Sequence, residues 1–255
     1  MIVLYIFLET LWHQQWEVMM VKNGSVIATL SDQLRRDISL GILQPGVKLN
    51  IEALKRDYSV SHPSVREALS LLVGEGYVSF EELKGFRVLQ PSQEQLKDSS
   101  RVRAEMEALA FEWSVLRTNV DWRSNVIAAH YALSEVEVQM SSDPLNAALE
   151  WDNRNKNFHM AIVGNSGSQK IIELISVEYD QSRRYRLMAH ASDRSEKSRS
   201  RWVERSAEEH SALKDAVLEG NVEAGQAILR KHITKATLHV IEDADLPIGG
   251  LQKLS

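Results

Sequence analysis

The chain's 255 residues are 44% apolar and 25% charged, which excludes a disordered chain and supplies a sizeable core for one large or two ordinary domains. Its net charge of −5 excludes a broadly basic nucleic-acid binder, though not a local contact surface. The absence of cysteine excludes disulfides and thiolate metal sites, agrees with a cytoplasmic location, and leaves His, carboxylate, amide or water as metal ligands.

The start, MIVLYIFLETLWHQQWEVMM, is apolar but broken by Glu9, His13, Gln14, Gln15 and Glu17, and it lacks a basic n-region and a small-residue cleavage site. Residues 1–24 therefore read as an extension upstream of a true start at Met19 or Met20, the alternative being a segment that packs on the protein. No run approaches the roughly 20 apolar residues a membrane-spanning helix needs, so no membrane partner is expected.

From residue 25 to 91 the elements are short. Ile27, Leu30, Leu34, Ile38 and Leu40 recur at helical spacing until Gly41, Pro45 and Gly46 break the pattern. NIEALKRDY predicts a brief second helix. SHPSVREALSLLVGEG predicts a third, with Ser61 as N-cap, Pro63 in the first turn and Gly74 or Gly76 at its end. YVSFEELKGFRVLQP predicts two short strands around a turn near Lys84-Gly85, and Pro91 closes the unit. Three helices and a hairpin in this order make a winged helix-turn-helix, whose third helix places its N-terminal residues at base edges in the major groove. That end carries Ser61, His62, Ser64 and Arg66. Arg66 suits guanine or phosphate, and the serines suit phosphate oxygens. Lys84, Gly85 and Arg87 fit a wing tip that approaches the DNA closely, and Arg35, Arg36, Lys55 and Arg56 are further phosphate candidates. The alternative is an interaction module with ordinary capping and solvated charges. Residues 25–90 hold eight Lys/Arg and eight Asp/Glu, so DNA binding must come from placement of charge on one face.

After Pro91 the pattern is almost wholly helical, with segments at roughly 93–118, 121–140, 144–164, 168–190, 199–219 and 221–243. Asp143-Pro144, GNSGS at 164–168 and Gly220-Asn221 punctuate them. Their apolar stripes predict an antiparallel bundle over 92–243. SDRSEKSRSR reads as a solvated loop and helix start, and residues 244–255 as a frayed tail. The fold class is mainly α: a winged helix-turn-helix followed by an all-α bundle.

LGILQPGVKLNIEALKRDYSVSHPSVREALSLLVGEGYV resembles the N-terminal domain of the GntR family of bacterial transcription regulators. Gly41, Pro45, Gly46, Leu49, Val60, Ser61, Val65, Arg66, Glu67, Ala68, Leu69, Glu75, Gly76 and Val78 carry the resemblance. It implies DNA contacts at Ser61, Ser64, Arg66 and Gly85. His62 stands where the family commonly has an arginine, which alters operator preference and makes binding pH-sensitive. RAEMEALA, NKNFHMAIVGNSGS and EEHSALKDAVLEGNVEAGQAILRKHI resemble the FCD domain of the FadR-like subgroup, an all-helical ligand-sensing bundle.

That resemblance implies a metal site at Asn155, His159, His210 and His232, with Asn155 where the family usually has aspartate. On the residues alone, His210 shares a face with Leu213 and Val217, and His232 with Ile228 and Ala236. One such histidine is commonly a satisfied core residue; three on facing helices favour ligation of a divalent metal, Zn or Ni. The neutral amide of Asn155 weakens that site. His130, His190 and His239 have surface or core roles on their spacing. A cationic cavity suits a small carboxylic acid effector, with Arg103 of the Arg-x-x-x-Glu pair as its clamp and Arg183, Arg184 and Tyr185 as further lining, at least one of these arginines falling on a solvated helix face. Trp151 and Phe158 read as core or cavity wall.

These features imply a transcription regulator, read as a repressor, that binds double-stranded DNA as a homodimer on a palindromic operator. An effector would alter the spacing of two reading heads that must match a DNA repeat of roughly 34–36 Å. The alternative is a metal-dependent hydrolase with a three-histidine site, against which stand the winged domain and the absence of an evident general base within a turn of the histidines.

Overall fold

The computed structural model describes residues 26–142, 144–191 and 196–243. The extension at 1–24, the first residues of the Ser/Arg-rich loop (192–195), the tail at 244–255 and the His190 side chain lie outside the described residues. The chain divides into two units, Met1–Gln90 and Pro91–Ser255, meeting at the proline that closes the hairpin unit.

In the first unit, α1 (residues 26–39) turns Leu30, Leu34 and Ile38 into the core at the predicted spacing. Asn50 caps α2 (Ile51–Asp57), its Oδ1 accepting the Glu52 and Ala53 amides at 2.9 and 3.1 Å. Ser61 caps α3 (His62–Gly74), accepting the Ser64 amide at 3.2 Å, with proline in the first turn where no amide is needed. Gly76 (φ 75°) lets the chain leave α3 in the left-handed region. β1 (Val78–Glu81) and β2 (Gly85–Val88) pair antiparallel with Val78 opposite Val88, and a bridge between Lys48 and Arg87 extends the sheet by one position. Val65, Ala68, Leu69 and Leu72 of α3 close the core against Tyr77, Phe86 and Val88.

The second unit consists, among the described residues, of α4 (Gln93–Leu116), α5 (Val120–Ser142), α6 (Pro144–Val163), α7 (Gln169–Ala191), α8 (Glu196–Glu219) and α9 (Val222–Asp243). α4 packs on α9 and α7, while α5 packs on α6 and α8. Phe111, Val126, Leu133, Phe158, Ile162, Ile175, Leu213, Val217 and Leu229 fill the centre. No helix among the described residues is long and apolar enough to cross a membrane.

The α4–α9 contact depends on one missing side chain. A Cβ at Gly225 would lie 2.1 Å from Cε1 of Phe111, which is fully buried. Gly225→Ala gains up to about 1 kcal/mol of helix propensity, yet overpacking against a ring that cannot retreat costs about 1–3 kcal/mol. The variant is expected to melt several degrees below wild type in calorimetry. An unchanged or raised Tm would show that the contact relaxes freely.

Candidate ligand centre and DNA-reading face

The bundle brings His159 (α6), His210 (α8) and His232 (α9) together in its interior. One ring nitrogen of each lies within 4.8 Å of those of the others, and all three residues are buried. Each Nδ1–H donates to a carboxylate on another helix: His159 to Glu107 Oε2 at 2.6 Å, His210 to Glu137 Oε1 at 2.7 Å, and His232 to Glu209 Oε2 at 2.9 Å. A carboxylate on Nδ1 fixes the tautomer, aims the Nε2 lone pair and raises its basicity, as outer partners of metal-ligating histidines do. Among the described residues, Nε2 of His159 and of His210 has no hydrogen-bond partner. Asn155 lies one turn before His159. Its Nδ2 donates to Tyr179 Oη at 2.7 Å, leaving its buried Oδ1 without a partner. Three imidazole nitrogens and an amide oxygen could hold a divalent ion, and the unmet lone pairs fit one.

Burial lowers the pKa of all three histidines, so the rings are neutral. For Glu107, burial opposes ionisation, but His159 and the Arg103 guanidinium outweigh it and hold the carboxyl at about 2. Burial pushes Glu137 up to about 7, against the smaller pull of His130, His232 and a Trp151 hydrogen bond.

Beside this centre is a cavity lined by residues that include Arg103, Asn155, His232, Trp151, Trp202 and Arg186. Arg103, the expected clamp, is there, buried and tied through Nε to Glu107 Oε1 at 2.8 Å. Arg184 and Tyr185 are not among the lining residues. Tyr185 Oη instead accepts the Ser92 amide at 3.2 Å and Arg184 Nη2 at 3.0 Å, which secures the first turn of α4. Their place is taken by Arg186, one position further on, and by His239, which stacks on Trp202 at 5.0 Å. The inward phase of α7 runs Ile175–Tyr179–Ser182–Arg186–Ala189, a spacing of fours and threes that identifies Arg186. Arg183 faces Asp152 at 3.0 Å, and Phe158 packs in the core.

In the first unit Ser61, His62, Ser64 and Arg66 stand together at the start of α3. The Ser61 and Ser64 hydroxyls lie 2.8 Å apart, and His62 Nε2 is 3.9 Å from Glu52 Oε1. Arg66 and Arg36 are exposed and have no side-chain partner among the described residues. Arg35 departs from expectation: it forms a two-pronged pair with Glu75 at 2.6 and 3.0 Å and also meets Asp32, which ties α1 to the end of α3. Lys55 pairs with Glu52, Arg56 with Asp57 and Lys84 with Glu81, all exposed. Arg87 donates to Gly46 O at 2.5 Å. Gly85 (φ 83°) opens β2 at the wing tip, with Lys48 beside it. Lys48 was missed; its one signal in sequence is a cation just before the buried Leu49.

This pairing of a winged reading head with an all-helical ligand-binding bundle defines a one-chain transcription regulator. The profile of the gntR family of bacterial regulatory proteins matches residues 27–88 and that of the FCD domain residues 98–235. The chain belongs to the GntR family and is a DNA-binding transcription regulator with an FCD ligand-binding domain. It is 34% identical to the HTH-type transcriptional regulator BphR of Paraburkholderia xenovorans over 82% of each chain. It is 32% identical to the HTH-type transcriptional repressor GlaR of Escherichia coli over 78% of this chain and 89% of GlaR. In fold it is similar to E. coli McbR/YncC, with a TM-score of 0.68 at 20% identity over 85% of this chain and 97% of that one. The hydrolase alternative finds no support, because the relatives are named as regulators.

Glu107 is the carboxylate on which Arg103 and His159 both depend. Glu107→Gln leaves a buried guanidinium without its counter-charge and is expected to cost about 3 kcal/mol in denaturant titrations at pH 7. Because the folded carboxyl sits at about 2, the pair's contribution is complete above the ordinary carboxylate range near 4 and lost as pH falls towards 2. The variant should lack that acid-side loss; equal stability and equal pH dependence in both proteins would remove the pair from the account.

Proposed function

We propose that this regulator is a repressor that binds a palindromic operator as a homodimer and changes its operator affinity when a small organic acid enters the helical unit, with a divalent metal at His159, His210, His232 and Asn155. The observation that carries the proposal is the convergence of three neutral imidazoles, each held at Nδ1 by a carboxylate, beside a buried arginine. When bound, the metal would supply a Lewis-acidic positive charge for the acid's carboxylate. Glu107, Glu137 and Glu209 orient the rings, Tyr179 orients the Asn155 amide, and Arg103 presents a guanidinium to the cavity. The repressor direction is supported by the name of the relative GlaR.

Metal content by elemental analysis tests the centre. The full-length chain is expected to hold close to one divalent ion at pH 8 and His210→Ala to hold far less; equal content in both would overturn ligation. As pH falls through about 7, Glu137 takes up a proton and becomes a weaker acceptor for His210 Nδ1, so affinity is expected to fall from pH 8 to pH 6. Asn155→Asp adds a charged ligand and is expected to tighten binding at least tenfold, on the order of what metal-site partners contribute.

At the reading head, Arg66→Ala is expected to weaken operator binding by about 1–3 kcal/mol and relax specificity at one base pair. Arg36→Ala should weaken all sequences alike and reduce the salt slope by about 1. Fluorescence anisotropy over a salt series measures both. Unchanged operator affinity in Arg66→Ala would take that residue off the reading face.

A further inference from the structure

We infer that the acid sensed by the helical unit carries a single carboxylate on an apolar, ring-bearing body, an inference that rests on the organic-acid reading above and narrows it. Two arginines line the cavity, and their hydrogen bonds set them apart. Arg103 commits only Nε, to Glu107 at 2.8 Å, and its two terminal nitrogens have no partner among the described residues. That is an open fork, buried and pre-oriented, matched to one carboxylate. Arg186 uses all three nitrogens: Nε to Asp152 Oδ1 at 2.7 Å, Nη1 to Ser182 Oγ at 2.6 Å and Nη2 to Tyr179 O at 3.1 Å. Both guanidinium groups lie over the Tyr179 ring, Arg186 at 4.0 Å and Arg103 at 4.8 Å, and each has a carboxylate beside it, so the terminal nitrogens are what separate them. Arg186 therefore braces the wall and is not a second clamp.

Among the described residues, the rest of the lining brings no further arginine or lysine. Trp151 and Trp202 meet edge-on at 5.1 Å and 62°, and His239 lies flat on Trp202 at 5.0 Å and 10°. Leu96, Ile233 and Val240 add aliphatic wall, Ala189 and Ala236 leave room beside it, and Ser100, Ser206 and Thr237 add neutral hydroxyls that can meet a polar substituent but balance no charge. With one carboxylate shared by Arg103 and the histidine centre, a second one placed against this wall would lose its water and meet no counter-charge. An apolar group would bury its surface, and a flat ring finds aromatic edges and faces. The charged end and the apolar wall share one cavity, which sets the ligand's two-ended chemistry.

Calorimetric titration of the full-length chain with 3-phenylpropionate, hexanoate, adipate and citrate tests this. Hexanoate and adipate differ only in the second carboxylate. The expected order is 3-phenylpropionate tightest, then hexanoate, with adipate at least tenfold weaker than hexanoate. Arg103→Lys, which keeps the charge and loses the fork, should weaken both monoacids at least tenfold. Ala236→Leu, which narrows the cavity without touching a charge, should do the same for 3-phenylpropionate; unchanged affinity in both folded variants overturns the placement. Adipate or citrate binding as tightly as the monoacids overturns the single-carboxylate inference and leaves acid sensing intact. Hexanoate binding more tightly than 3-phenylpropionate overturns the ring-bearing body. Binding of none of these acids overturns both readings.

Discussion

Three buried hydrogen bonds from imidazole Nδ1–H groups to carboxylates on other helices organise the ligand-binding unit. They join α6 to α4, α8 to α5 and α9 to α8, so the packing of the bundle and the geometry of its centre are the same set of contacts. Leaving a buried polar atom unpaired costs roughly 1–3 kcal/mol. Each carboxylate relieves one nitrogen of its ring and turns the other towards the shared interior. A bundle under selection for stability alone would place aliphatic side chains at these positions, since well-packed apolar groups commonly match or exceed buried polar networks. Here the unmet lone pairs of His159, His210 and Asn155 are concentrated at one point. Their desolvation has already been spent in folding, so a partner that satisfies them binds to a preformed centre.

Charge explains why an amide at position 155 is compatible with such a centre. Glu107, Glu137 and Glu209 surround the rings; Arg103 offsets Glu107, and Lys235 reaches Glu209 at 3.4 Å. At Glu137 burial outweighs the pull of His130, His232 and a Trp151 hydrogen bond, which raises the carboxyl to about 7. A dication would relieve that imbalance, whereas an aspartate at 155 would add to the negative charge. On the proposed reading, the carboxylate that residue 155 lacks arrives with the effector. Metal and acid then strengthen each other's binding by equal factors, as linkage requires, and the site responds to both.

The sequence made the elements legible because their limits are written in local chemistry: Ser61 and Pro63 at the start of α3, Gly220 after α8, and Pro144 at the start of α6. The histidine triad was legible for a related reason, since helical spacing puts each ring on an apolar face. Its carboxylate partners were not. They stand 52, 73 and 23 residues away on other helices, and no local period encodes which glutamate will face which ring. Arg184, Tyr185 and Arg186 of α7 are consecutive and all buried, so composition alone does not choose which of them lines the cavity. Only the phase running back through Ser182 and Tyr179 selects Arg186. The pairing of Arg35 is equally hidden from local pattern, its partner Glu75 lying 40 residues on.

The reading head faces the opposite electrostatic problem, because its positive and negative side chains are equal in number. Arg35 is withdrawn into a partly buried pair that fixes α1 against α3, and Lys55, Arg56 and Lys84 each have an exposed carboxylate within reach. Exposed pairs of this kind contribute little to stability, median about 0–1 kcal/mol, so a phosphate can compete for the cation at small cost. Arg36, Lys48 and Arg66 carry no such partner among the described residues and need not exchange one. Such a head has weak sequence-independent attraction, since non-specific affinity rises with each phosphate neutralised. On the proposed reading, discrimination then rests on a few contacts at the start of α3. On the proposed reading, a modest hold per head also lets a small change in how the two heads of a dimer are presented decide between bound and free operator, which suits control by a small ligand.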